Sequence, residues 1–308
     1  MNAFERALKT EDLEAIRQCP KADLHNHGAA GADPSSVERI IGRRFVPLDH
    51  KLTSIKEMHA WAEANLNFDP RFERELLAAA FARGAWDGLV RYELGCDVWA
   101  VTVHGSAENV TKLLKNAHEC GAPRVKWIPQ LGISRHCRIE DIQRWMEPFL
   151  ELRHYRTLDL SGDEFAQPIA NFKPLYRLAK ANGLRLKAHV GEWDNADSVW
   201  RAVEELELDE VQHGIAAADS QSVMRFLAEN QIQLNVCPTS NVMLGRVENL
   251  ASHPMRKLFD AGVRLTVNTD DMIMFGQSVS DEFLNLYRAR CFTAEELDQI
   301  RQNALIDR

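Results

Sequence analysis

The clearest strand pattern in the sequence is LRLKAHVGE, at residues 184–192. Its first seven residues have the composition of a buried strand, and a glycine and a glutamate follow them. His189 and Glu192 therefore fall where a strand gives way to a loop. Polar chemistry at the carboxyl end of a buried strand is typical of parallel β/α units, whose functional groups meet at that edge of the sheet.

The same arrangement recurs along the chain, with helical patterns between the strand-like runs. The predicted strands are 22–26, 96–103, 124–131, 157–161, 184–190, 210–214, 232–238 and 263–270. Because eight parallel β/α units close a barrel, we predict a (β/α)8 TIM barrel formed by residues 1–308 as a single domain. A doubly wound open sheet is the structural alternative. It would normally show G-x-G-x-x-G after the first strand, and the GAAGA at 28–32 does not match.

Apolar residues at helical spacing predict helices over 141–154, 168–183 and 220–231. The stretch from 28 to 90 is too long for an ordinary βα loop. We therefore expect extra helices inserted after the first strand, one of them at 72–86, that cover the mouth of the barrel.

Composition limits the classes of partner and the location. The 308 residues carry a net charge of −8 with Lys and Arg dispersed, so we expect no nucleic-acid partner and a small-molecule ligand instead. No apolar run is long enough to span a membrane, and no export signal is evident, so we expect no membrane association. The six cysteines lie far apart, as in a reduced, cytoplasmic protein. The oligomeric state is left open.

Six of the eight predicted strands end in side chains that can ligate a metal or exchange a proton. These ends read HNH, SGDE, HVGE, QHG, CPTSN and NTDD. Each one alone has an ordinary alternative. His25 and His27 suit a turn, His189 a hydrogen-bonded core position and His213 a turn. Asp270 with Asp271 suits the start of a helix.

Taken together, three histidines and one carboxylate from the first, fifth and eighth strands suit a site for Zn²⁺ with room for a water. A bound divalent ion lowers the pKa of that water towards about 7, which supplies hydroxide at neutral pH. A nearby glutamate and a further histidine are natural acid–base partners. The residues therefore favour metal-assisted hydrolysis.

The motifs also resemble those of the adenosine deaminase family of metal-dependent TIM-barrel hydrolases. They occur in the same order over most of the chain: PKADLHNH at 20–27, LDLSGDE at 158–164, HVGE at 189–192, QHG at 212–214, CPTSN at 237–241, SHP at 252–254 and NTDD at 268–271.

The resemblance implies a role for each matching position. One Zn²⁺ per chain, or another divalent transition metal, would be held by His25, His27, His189 and Asp270. Glu192 would protonate a purine ring nitrogen while metal-bound hydroxide attacks the amino-bearing carbon, and ammonia would leave. His213 and Asp270 would activate and orient the water. Two positions would contact the purine ring: Asp271, and the backbone N–H of Gly162.

One departure from the family pattern concerns the substrate's far end. Family members place an aspartate or glutamate two residues after the second histidine, where this chain has Ala29. We therefore predict a hydrolytic deaminase of adenosine or a related 6-aminopurine whose substrate contacts differ from those of its relatives. The alternatives are deamination of another amino-heterocycle, hydrolysis of an amide or ester at the same metal, and a non-catalytic purine-binding protein.

Overall fold

The structure, a computed structural model, describes residues 1–307. Eight strands are hydrogen-bonded in chain order, each parallel to its neighbours, and helices surround them. The strands β1 to β8 are Lys21–Asp23, Leu89–Asp97, Lys126–Ser134, Thr157–Ser161, Arg185–Val190, Glu210–His213, Gln233–Val236 and Arg264–Val267. The predicted (β/α)8 barrel is confirmed.

The barrel closes between β8 and β1 through loop backbone and side chains. The Leu24 N–H donates to Asn268 Oδ1 at 2.9 Å, and the Asp270 N–H donates to the His25 carbonyl at 3.0 Å. Asn26 and Asp270 form an isolated parallel bridge. This closure brings the first histidines of the chain next to the aspartates that follow β8.

Helices form the outer layer and the inserted segment. Within residues 1–307 the α-helices α1 to α16 are Ala3–Lys9, Leu13–Arg17, Pro34–Ile41, Ile55–Leu66, Glu73–Trp86, Val101–His104, Ala107–Gly121, Ile139–Glu151, Lys173–Ala181, Ala196–Leu206, Gln221–Glu229, Pro238–Met243, Met255–Asp260, Met272–Phe275, Val279–Arg288 and Ala294–Leu305. The three helices predicted from apolar spacing correspond to α8, α9 and α11. None of these helices has the length and apolar character needed to cross a bilayer.

The segment between β1 and α5 is the insertion that the sequence predicts. It holds a 3₁₀ turn at Gly28–Gly31 followed by α3 and α4. Two backbone hydrogen bonds tie it to the short helices α12 and α14, which follow β7 and β8. They run from the Leu52 N–H to the Met243 carbonyl and from the Leu48 N–H to the Met274 carbonyl. The insertion therefore crosses the carboxyl-terminal face of the barrel.

The helix expected at 72–86 forms as α5. It packs against α7 in the outer layer and against the Gly28–Gly31 turn, and its first turns line the cavity at the mouth. One sequence prediction needs correction here. The second strand is Leu89–Asp97, whereas 98–103 of the predicted 96–103 strand is helical. The sequence does not predict this strand, because the charged residues Arg91 and Glu93 are untypical of a buried strand. In the structure Glu93 is buried against a lysine inside the barrel.

That lysine, Lys187 on β5, is fully buried. Its Nζ lies 2.7 Å from Glu93 Oε2 and 3.1 Å from Glu210 Oε2, and it donates to the Leu24 carbonyl at 3.0 Å. A buried cation needs such partners because the barrel interior offers no water to solvate it. Since strand side chains alternate, His189 projects to the same side two residues later, one layer nearer the carboxyl-terminal face.

Candidate active site

The carboxyl-terminal face gathers the predicted site residues into two overlapping clusters. Ligand atoms of His25, His189, His213 and Asp270 all lie within 4.8 Å of one another. The ligand atoms of His27, Asp270 and Asp271 form a second group and also lie within 4.8 Å of one another. Because Asp270 belongs to both groups, all four side chains assigned to the metal by the family resemblance lie around one centre.

The geometry of His25 and His189 fits a bound cation. Their Nε2 atoms are 3.0 Å apart, while each Nδ1 faces an acceptor on the other side of the ring. His25 Nδ1 lies 3.0 Å from the Asn235 carbonyl, and His189 Nδ1 lies 3.3 Å from Asp159 Oδ1. Protons on both Nδ1 atoms leave two Nε2 lone pairs pointing at each other, which is favourable when a metal ion accepts both.

His27 and Asp270 form the second side of this centre. His27 Nε2 lies 3.0 Å from Asp270 Oδ1, and Ser240 Oγ donates to Asp270 Oδ2 at 2.6 Å. Burial alone would raise the pKa of Asp270, but the His27 hydrogen bond and the surrounding histidines hold it well below its usual value. Asp270 therefore offers an ionised carboxylate to a cation.

Two of these residues adopt backbone conformations that are uncommon for side-chain-bearing residues. His213 and Asp270 both have φ of +60°. Val211 packs in the core while Gln212 reaches Leu24 inside the barrel, so strict alternation would point His213 away from the interior. Instead, the left-handed backbone conformation at His213 is accompanied by a ring that lies against His25. Strained backbone conformations of this kind are often retained at functional sites.

His213 belongs to the first of these clusters and also approaches the acid. Its Nε2 is 3.6 Å from Glu192 Oε1 and 3.8 Å from Asp270 Oδ2, and its Nδ1 is 3.3 Å from Asn241 Nδ2. Burial lowers the pKa of His213 to about 3, so its ring is neutral at physiological pH. A neutral ring in this cluster has a lone pair that can accept a hydrogen bond from a water or bind a metal ion.

Glu192 is the buried acid of the site. Burial raises its pKa well above the ordinary value, and the negative charges of Asp270 and Glu164 raise it further. The Oε1 atom has no hydrogen-bond partner among the described residues. Burial therefore favours the protonated form of Glu192, and its Oε1 is left without a partner, as a proton donor to a ligand requires.

The loop that carries Glu192 is fixed by another carboxylate, Glu164. Its Oε2 accepts from the Gly191 N–H at 2.8 Å, and its Oε1 accepts from the N–H groups of Glu192 at 2.9 Å and Trp193 at 2.8 Å. Arg135 braces both ends of the arrangement by donating to the carbonyls of Glu164 at 3.0 Å and His189 at 2.9 Å.

The two predicted substrate contacts lie on different loops, Asp271 in the second ligand group and Gly162 after β4. Asp271 belongs to the second ligand group, and burial raises its pKa to about 6. Gly162 follows β4 with φ of +94°, where a side chain would come within 3.0 Å of the His136 ring. This residue lies beside Ser161, which lines the adjacent cavity.

That cavity has a volume of about 430 Å³ and borders His27 and Asp159. It extends from them under the inserted segment, between the GAAG turn and the ends of β2 and β3. Its size is within the range of about 300–1,000 Å³ that holds small-molecule ligands. Ala29, the departure from the family pattern, is part of its wall.

Sequence reasoning missed several supporting residues and assigned no role to SHP. Asp159 and Glu164 lie within the LDLSGDE motif and Asn241 lies within CPTSN, so the motifs include these residues but do not predict their roles. Arg135 belongs to no motif, and only the structure shows its contacts with the site loops. His253 of SHP lies outside the site, where its Nδ1 accepts from the Met255 N–H at the start of α13.

Comparison with known proteins agrees with this site. A family model described as adenosine deaminase matches residues 90–307. The putative adenosine/adenine deaminase of Treponema pallidum is 33% identical over 300 residues, covering 94% of this chain and 100% of that protein. The adenine deaminase of Acinetobacter baylyi is 29% identical, covering 94% and 92%.

Among solved structures, the crystal structure of adenine deaminase from Arthrobacter aurescens superimposes with a TM-score of 0.81 at 25% identity. The match covers 93% of this chain and 92% of that one. The family model, the length of the matches and the gathered His and Asp side chains lead to one conclusion. This chain belongs to the adenosine deaminase family, and it is a metal-dependent hydrolase that deaminates a 6-aminopurine.

Proposed function

We propose that the metal is zinc, that adenosine is among the substrates, and that the residues named from the family resemblance perform the reaction. The observation that carries the proposal is the pair of opposed Nε2 atoms of His25 and His189 beside the unpartnered carboxyl group of Glu192. A cation site next to a protonated acid is the combination that hydrolytic deamination requires.

His25, His27, His189 and Asp270 would hold the ion, since imidazole nitrogens and a carboxylate suit Zn²⁺. When bound, the ion makes a water molecule acidic enough to act as a nucleophile at neutral pH. His213 is the competing third histidine. We assign it to proton transfer instead, because its Nε2 lies within 4 Å of both Glu192 and Asp270.

The chain's own residues supply the proton transfers. Glu192 donates its proton to a purine ring nitrogen next to the amino-bearing carbon, which makes that carbon accept the water oxygen. His213 and Asp270 orient the water and take up the proton it loses. The proton taken from the water passes to the amino group, which leaves as ammonia. The hydroxyl proton of the oxygen now bound to the ring returns to Glu192 as the carbonyl forms.

Two further contacts would orient the ring. Asp271, whose pKa is raised to about 6 by burial, would donate in its protonated form to a nitrogen of the five-membered ring. The Gly162 N–H would donate to another ring nitrogen. Both donors favour a purine over an amide or ester, which lacks these acceptors.

The test combines product analysis with metal analysis. Purified protein is incubated with aminopurines, pterins, amides and esters, and ammonia, ultraviolet spectra and carboxylic acids are measured. We expect ammonia with a shift of the purine spectrum and about one zinc per chain. Carboxylic acid without ammonia would overturn the proposal.

Glu192→Gln separates chemistry from metal binding. Loss of the proton donor should lower kcat about 100- to 10,000-fold while the zinc content stays at the wild-type value. Glu204→Gln, on an exposed position of α10, is the matched control and should keep wild-type kcat. His27→Ala should lose zinc, and His213→Ala should retain it; the reverse result would exchange the two assignments.

A further inference from the structure

The loop after β3 holds the peptide groups on both sides of Gly162. On one side, the Arg135 N–H donates to the Ser161 carbonyl at 2.9 Å. On the other side, the Asp163 N–H donates to His136 Nε2 at 3.3 Å. Because a trans peptide directs its N–H opposite to its carbonyl, the first bond turns the Gly162 N–H away from β3. That N–H has no hydrogen-bond partner within the described part of the chain, so it is available to a ligand.

The His136 ring occupies the space beside Gly162 that a side chain would otherwise fill. Gly162 has φ of +94°, a conformation that residues with side chains rarely adopt. A Cβ built on it would lie 3.0 Å from His136 Cδ2 and 3.2 Å from His136 Nε2. Glycine has more torsional freedom than other residues, so the orientation of its peptide groups depends on such neighbours. The ring therefore limits the rotation of the backbone that follows β4.

His136 is itself held from two directions. Its own N–H donates to Ser134 Oγ at 3.2 Å. The ring of His59, from α4 of the insertion, packs against it in a T-shaped arrangement, with ring centroids 5.1 Å apart and planes at 75°. Ser161 lines the cavity whereas His136 does not, so the imidazole lies outside the ligand space. An effect of His136 on a bound purine therefore passes through the Gly162 backbone.

The purine nitrogen that faces Gly162 follows from the other assignments under the proposed function. Glu192 donates to N1, the ring nitrogen beside the amino-bearing carbon. Asp271 donates to the five-membered ring, where N9 carries the sugar of adenosine and N7 is the free acceptor. N3 is the remaining ring nitrogen with a free lone pair. The Gly162 N–H therefore donates to N3.

We propose that His136 is a positioning residue for purine recognition, which fixes the Gly162 backbone through the Asp163 N–H so that the Gly162 N–H points at N3. This inference rests on the proposed function, because the base must be held at Glu192 and the metal. His136 strengthens the binding of purines that have an acceptor at N3, and it does not affect ligands that lack this acceptor.

Two analogues of adenosine isolate this contact. 1-Deazaadenosine keeps N3 but lacks the nitrogen that Glu192 protonates, whereas 3-deazaadenosine has a C–H group in place of N3. Each is measured as a competitive inhibitor of ammonia release from adenosine by the zinc-loaded enzyme. His136→Phe keeps an aromatic ring against His59 and loses the acceptor for the Asp163 N–H. It should raise the Ki of 1-deazaadenosine about 3- to 10-fold and change that of 3-deazaadenosine less than about 2-fold.

His136→Gln is the rescue variant, because its Oε1 can accept from the Asp163 N–H, and it should bind both analogues as the wild type does. His154→Phe, in the loop before β4 at the opposite end of the barrel, is the matched control and should change neither Ki. Because His136 is exposed, these substitutions leave the fold intact.

Three results would overturn the positioning role while the proposed function stands. These are equal changes for the two analogues in His136→Phe, no change for either analogue, and the same selective loss in His136→Gln. Absence of ammonia from adenosine with the wild-type enzyme would overturn the proposed function and this inference with it.

Discussion

Glu164 acts at the residue scale by fixing the backbone that carries the acid. Its carboxylate accepts from three successive N–H groups, those of Gly191, Glu192 and Trp193. An anion is the natural acceptor for such a cluster of donors. The position of the Glu192 side chain therefore depends on a second carboxylate that itself makes no contact with the cavity.

Glu164→Gln should lower kcat about 10- to 100-fold with little change in KM. The amide places a donor against the N–H groups, and a displaced acid transfers its proton less efficiently. Steady-state kinetics together with zinc content and the thermal midpoint check this. Glu204→Gln on α10 is again the control. Unchanged kcat in a folded Glu164→Gln protein would contradict the positioning role.

Individual residues also show what a sequence can predict about a site. His25, His189 and Asp270 lie after apolar runs, and this pattern is visible without a structure. Arg135 has no such pattern, because it acts through carbonyl contacts to distant loops. The place of His136 beside Gly162 depends on the register of β3 with β4. Those relations exist only once the sheet has formed.

At the scale of elements, strand prediction succeeded where burial is apolar and failed where it is ionic. β5 lies within one residue of its predicted start, because its outward side chains are apolar. β2 was displaced by several residues, because Glu93 looks like a surface residue until Lys187 is placed beside it. The β-branched residues at 98–103 favour a strand by composition, but this segment is helical in the structure.

The helix α15 carries a buried acid whose protonation is linked to stability. Glu282 accepts from the Thr239 N–H, and burial raises its pKa to about 8, with Asp281 and Asp23 adding to the shift. The folded chain thus keeps a proton that the unfolded chain loses near pH 4.5. Stability from this group is fully present below that pH and is lost as pH rises towards about 8.

Glu282→Gln should therefore flatten the pH dependence of unfolding between about pH 5 and 8. One retained proton contributes a slope of about 1.4 kcal/mol per pH unit, which the variant lacks. Urea unfolding at several pH values measures the difference between the two proteins. Glu229→Gln, at the exposed end of α11, should keep the wild-type slope. Parallel curves for wild type and Glu282→Gln would refute the linkage.

At the scale of the whole molecule, the buried Lys187 joins three parts of the barrel. Its Nζ reaches β2 through Glu93, β6 through Glu210 and the end of β1 through the Leu24 carbonyl. These contacts lie directly beneath the layer that holds His189. The ion network and the catalytic centre are therefore consecutive layers of one core.

Lys187→Met should destabilise the protein by about 3–5 kcal/mol, because it leaves Glu93 buried without a cation and leaves Glu210 with Arg185 alone. The shift of the urea midpoint measures the loss. Lys180→Met removes a lysine whose partner, Glu207, is about half exposed, and it should cost no more than about 1 kcal/mol. Equal losses of stability in the two variants would show that the buried ion network contributes no more than an exposed ion pair.

The catalytic side chains and the cavity wall come from different parts of the barrel. The former lie at the carboxyl ends of β1, β5, β6 and β8, whereas most of the wall is built by the insertion, β2 and β3, with His27 and the end of β4 at the boundary. During evolution, substitutions in the insertion and in β2 can alter which molecules fit without disturbing how they react. The same separation suits recombination, since exchanging residues 28–104 between relatives would transplant substrate choice onto unchanged chemistry.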